Sequence, residues 1–145
     1  MKKSFTLIEV LMFVTIISMV FVSALAVATY ALRVMIFNQH KILAAHYAEE
    51  GLEWIKSEKE ADWHAFVIFS SPSGSTYCIT TPDTANSGPC NGSYFLGNPN
   101  IFSREMILTS RGNPVEQVDI QIRVYWPEGN QNSEVIVKSN LKLIE

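Results

Sequence analysis

Between Phe5 and about Leu32 the chain reads FTLIEVLMFVTIISMVFVSALAVATYAL, an apolar run broken by one charge, Glu9. From Val10 to Leu32 no charge follows, which leaves about 23 apolar or small residues, enough to cross a hydrocarbon core as helix. The next stretch, Arg33 to Lys59, has no proline and only Gly51, and is rich in helix formers, so the helix is predicted to continue. At 1.5 Å per residue, a helix from Phe5 to about Lys59 would be roughly 80 Å long. Its second half is amphipathic. Ala45, Ala48, Leu52 and Ile55 recur at spacings of three and four and predict a stripe that lies on a sheet. Leu43, Tyr47 and Trp54 form a second arc, for further core packing or for neighbouring subunits.

At Asp62 the helical period stops. DWHAFVIFSSPSGS reads as a connector packed by Trp63, Phe66 and Phe69, with Pro72 and Gly74 as breakers. Strands are predicted at Ser75–Thr81, Phe102–Thr109, Glu116–Trp126 and Glu134–Leu143. The third alternates most cleanly: Val118, Ile120, Ile122, Val124 and Trp126 share one face, while Asp119, Gln121, Arg123 and Tyr125 share the other. Pro127-Glu128-Gly129-Asn130 supplies a turn into the last strand. An antiparallel meander covered on one face by the long helix makes the expected fold α+β.

Charge adds an orientation. Lys2 and Lys3 precede the apolar run and the net charge of the whole chain is -3. The positive-inside rule then keeps the N-terminus in the cytoplasm and sends the remainder outward. No basic patch interleaved with aromatics is present, so nucleic acid is not an expected partner. An outward-facing domain permits oxidation, and Cys78 and Cys90, close together in a turn-rich segment, are expected to form a disulfide; a pair of free or metal-binding thiols is the other reading.

Two readings of the N-terminus compete. An ordinary secretory signal would use Lys2 and Lys3, an apolar core from Val10 to Val22, and Ala24-Leu25-Ala26 as a cleavage site, releasing a soluble binding or adhesin-like domain from about Val27. In the other, KKSFTLIEVLMFVTIISM resembles the N-terminal signal of type IV pilins and type II secretion pseudopilins, a basic leader followed by FTLIEVL. The stretch AHYAEEGLEWIK, and the FSREMIL, IRVYWPEG and SEVIVKSNL segments, are similar to minor pilins of the PilV type. That resemblance implies cleavage by prepilin peptidase between Ser4 and Phe5, methylation of the new amino terminus, and an assembly role for Glu9, the fifth residue of the mature chain. The family usually places glycine before the cut, where this chain has Ser4. Several pilins also carry a glycine and a proline in the membrane half, where this chain has Ser18 and Ala26, so its helix is expected to stay intact.

The resemblance divides the chain into a leader (1–4), a transmembrane and polymerisation helix (5–32), an amphipathic half (33–61) and a C-terminal sheet head (62–145). It implies other pilins, the peptidase and an inner-membrane assembly platform as partners, with the chain first single-pass in the inner membrane and then in a filament. A third reading is a membrane protein with a sensory outer domain and an uncut leader. Catalytic chemistry is not expected. His40, His46 and His64 lie at no motif spacing to a nucleophile and are expected to be solvated. Glu49, Glu50 and Glu53 beside Lys56 and Lys59 read as a solvated helix flank. No cofactor or metal is expected; a calcium site using Asp83 and Asp119 lacks a recognisable ligand loop. Asn91-Gly92-Ser93 matches a glycosylation acceptor.

Overall fold

A computed structural model describes residues 6–81, 84–93, 95–98 and 100–143. Ser4, Phe5 and Asp83, singled out above, lie outside the described residues. The elements run α1 (Leu7–Ala61), α2 (Trp63–Ile68), β1 (Ser75–Thr81), β2 (Thr84–Ser87), β3 (Ser103–Arg111), β4 (Gln117–Glu128) and β5 (Gln131–Lys142). The fold is α+β, a long N-terminal helix whose second half packs on a five-stranded antiparallel sheet of order β2-β1-β3-β4-β5. Two compact units are present, Met1–Gln39 and His40–Glu145.

In the first unit α1 is helical without a break from Leu7, through Ser18 and Ala26, as expected. Ser18 and Ser23 return their hydroxyls to the carbonyls of Val14 and Met19, four residues back, and Thr15 and Thr29 do the same at three. These polar side chains are thereby satisfied within the helix and present little polarity outward. The segment is long and apolar enough to cross a membrane, and the side chains of its most apolar stretch are uncovered.

In the second unit β3, β4 and β5 form the expected meander. β1 lies on the other side of β3, and β2 folds back along β1 to make the far edge. β2 was not expected. It is four residues long, lies inside the disulfide loop, and carries Ala85 and Asn86 where a strand pattern would put larger side chains. The core is the inward set of β4, Val118, Ile120, Ile122, Val124 and Trp126, with Met106 and Leu108 of β3, Ile79 of β1, and Phe66 and Phe102. Gly129, with φ 62°, takes the first position of the two-residue turn between Glu128 and Gln131, where a side chain would be strained.

The stripe of α1 that meets the sheet keeps Ala48 and Ile55 of the expected one but is turned from Ala45 and Leu52 toward Ala44 and Gly51. Ala44, Ala48, Gly51 and Ile55 are buried, while Ala45 and Leu52 sit on the flank, half-buried. Tyr47 and Trp54 form the opposite flank and pack on the core, but Leu43 of that arc stays largely exposed. The reason is close approach. A Cβ on Gly51 would stand 3.1 Å from Cδ of Arg104 and 3.4 Å from Cδ1 of Ile122. The tightest contact therefore belongs to a residue with no side chain, which a search for apolar side chains passes over.

The expected connector contains a short helix. Asp62 starts α2, its Oδ1 accepting the amides of His64 at 2.8 Å and Ala65 at 3.1 Å. Phe66 is buried and Trp63 half-buried as expected, whereas Phe69 remains half-exposed.

Candidate functional site

Glu9 sits in the first turn of α1, where its amide and that of Val10 bond to the Thr6 carbonyl. A carboxylate there faces the positive end of the helix dipole, worth roughly 0.3 to 1 kcal/mol. It is exposed, and among the described residues no cation stands within ion-pair distance. Around it lie Leu7, Val10, Leu11 and Val14, all uncovered. The arrangement is an uncovered apolar helix with one anionic group near its start, a group that can attract a cation.

Cys78 and Cys90 form the expected disulfide, with Cα atoms 4.9 Å apart. A second device holds the same loop. Glu105, opposite Cys78 in the β1–β3 ladder, points to the face of the sheet away from α1, where Oε1 accepts the Cys90 amide at 2.9 Å and the Tyr125 hydroxyl at 3.3 Å. Oε2 accepts from Arg123 at 2.8 Å, and Arg123 also reaches Glu134 at 3.7 Å. Burial, and the Glu105 carboxylate beside it, hold the Tyr125 hydroxyl above its ordinary range. The hydroxyl of Ser103 donates to the Ser93 carbonyl, pinning the loop again. Replacing both cysteines by serine is expected to cost about 3 kcal/mol, the chain-entropy value for a loop of this size. A denaturant melt of the oxidised protein against the double variant measures it.

The histidines divide. His46 and His64 are exposed as expected. His40 is only partly solvated: its Nδ1 lies 3.3 Å from Oε2 of Glu128, which also accepts the Trp126 indole N–H at 3.0 Å, and its ring meets Phe102 edge-on. The acidic flank divides too. Glu50 binds Arg104 at 2.9 Å, and Arg104 also donates to the Tyr47 carbonyl of α1 at 2.8 Å. Arg104 is fully buried; burial lowers its pKa and Glu50 opposes that. The signal was present in FSREMIL, because alternation from Met106 and Leu108 puts Arg104 on the inward face, where a cation requires a partner. Asp119, considered for calcium, is held by Gln117 at 2.6 Å and by Arg111, both of which keep its carboxyl below the usual range. Asn91 adopts a left-handed conformation, φ 51°, in an exposed turn.

Compared with family models, with curated proteins and with solved structures, the chain finds no match.

Proposed function

We propose that this chain is a structural subunit of a filament of the type IV pilus or type II secretion kind, a minor pilin or pseudopilin. The observation that carries the reading is the uncovered apolar stretch of α1 with Glu9 near its start. A charge within a membrane helix costs roughly 2.5 to 3.5 kcal/mol on insertion scales, and a paired one costs less. Prepilin peptidase cutting between Ser4 and Phe5 creates a suitable cation, the methylated amine of Phe5. The Glu9 carboxylate of one subunit then meets the Phe5 amine of its neighbour. The pair sets register as subunits leave the inner membrane, and the apolar stretches pack together in the filament core while the sheet heads stay outside. The disulfide and the Glu105 network keep the head's loop fixed in an oxidising compartment.

The subunit binds other pilins through its helix and acts mechanically, with no catalytic step, cofactor or metal assigned. Fractionation tests this reading. The chain is expected in the membrane fraction with its apolar segment intact, and in the sheared filament fraction only when an assembly platform is present. A head released free of that segment into the extracytoplasmic fluid overturns the reading and favours a secreted binding domain.

A further inference from the structure

β5 is an edge strand, and its free side is unusually regular. It pairs with β4 over twelve consecutive residues, Gln131 to Lys142, without a bulge, and it contains no proline. The phase of that ladder is fixed at its end, where the Leu143 amide bonds to the Glu116 carbonyl at 3.1 Å. Bonded and non-bonded pairs alternate in an antiparallel ladder, so the odd-numbered residues of β5 bond to β4. Asn132, Glu134, Ile136, Lys138, Asn140 and Lys142 therefore turn their amides and carbonyls outward, and no described strand takes them. Exposed edges are commonly blunted by lysine or shortened. This one carries Lys138 but also an exposed Ile136, 41% accessible, between Glu134 and Lys138.

We propose that the β5 edge pairs with the β5 edge of a second copy, antiparallel, about a two-fold axis through Ile136. The sequence is self-complementary in that register. Ile136 meets Ile136 of the partner subunit on the outer face, and Glu134 meets the partner's Lys138 on one side and Lys138 the partner's Glu134 on the other. On the inner face Val135 meets the partner's Val137 twice, which extends the apolar edge of a core these half-buried valines already touch. Ser133 then faces the partner's Ser139, and no like charges oppose one another. Lys138 has no acidic partner among the described residues, so the pairing satisfies a cation left over within the chain. The axis is normal to the sheet, so the two α1 stretches from His40 to Ala61 run in opposite directions across the shared sheet. The contact is one between sheet heads and uses no residue before His40. It stands whether or not the chain polymerises through α1.

The test uses the full chain in detergent. The native cysteines are bonded to each other and no other thiol is present, so an added cysteine reports alone. Ile136→Cys is expected to give a covalent dimer on mild oxidation, while Lys142→Cys, displaced far from its own counterpart, gives no covalent dimer. Glu134→Lys and Lys138→Glu each place like charges opposite and should weaken dimerisation about tenfold by sedimentation. The double variant Glu134→Lys with Lys138→Glu restores the native level, which separates the pairing from damage to the fold. Equal cross-linking at 136 and 142, single variants that dimerise as the parent does, or a double variant no better than the singles overturns the proposal.

Discussion

Glu9→Ala is expected to leave the chain in the membrane and to lower its incorporation into filaments by at least about a hundredfold. Removing one member of a buried ion pair leaves the other uncompensated, typically a loss of 3 to 5 kcal/mol. On the proposed filament reading, the group left behind would be the Phe5 amine of the adjoining subunit. Insertion should be unaffected or slightly improved, because alanine lacks the charge that opposes entry into hydrocarbon. A purely local role predicts something different. As a helix-start carboxylate, Glu9 would contribute up to about 1 kcal/mol through the dipole, and alanine would change assembly by less than about sixfold. Glu9→Gln sharpens the comparison, since it keeps the side-chain shape and removes only the charge. Quantifying each variant in membrane and sheared filament fractions decides between the two. Near-normal incorporation of the alanine variant removes the argument for pairing.

The second large effect lies in the head. Glu50→Ala is expected to destabilise it by about 2 to 3 kcal/mol, below the full figure for a buried pair because Glu50 is itself 41% exposed. The loss arises because Arg104, with no exposed side-chain surface, keeps its guanidinium between α1 and β3 with only the Tyr47 carbonyl to bind. Its Nε and Nη2 already lack partners. Arg104→Met should therefore be close to neutral or stabilising, since a side chain of similar length removes the unpaired donors along with the charge. Once Arg104 is methionine, adding Glu50→Ala should cost little, because the exposed carboxylate no longer has a buried cation to satisfy. Urea melts followed by the fluorescence of Trp54 and Trp126 measure all three variants. Arg104→Met being as damaging as Glu50→Ala would show that the pair itself holds helix to sheet.

Much of this architecture is legible in the residues. Alternation in QVDIQIRVYW gives β4 and its buried face, and the absence of proline between Arg33 and Lys59 gives the continuous helix. What escapes has a physical cause in each case. The contact face of α1 is centred on Gly51, which carries no apolar side chain to be found by periodicity, so the stripe is misplaced onto Ala45 and Leu52. α2 depends on the capping carboxylate of Asp62 more than on its six residues, too few to show a helical period. β2 is held by backbone pairing to β1 and not by a pattern of its own.

The polar sites follow the same rule. Glu9 stands out because nothing else in its surroundings is charged, and Cys78 and Cys90 stand out as the sole thiols. His40, Glu50 and Glu105 do not, because their partners Glu128, Arg104 and Arg123 lie 88, 54 and 18 residues away and meet them only once helix and strands have packed. Local spacing reads an acidic run on a helix as solvated, and Glu50 becomes an anchor only when β3 delivers Arg104 beneath it.

Assembly through Glu9, as proposed, requires that the apolar helix survive processing and begin with an amine four residues before Glu9. Intact mass and N-terminal peptide spectra of the protein purified from assembled material address this directly. The result predicted is a first residue of Phe5 bearing one added methyl group. A chain that begins near Val27, or one that retains Met1 through Ser4 in the assembled fraction, contradicts it.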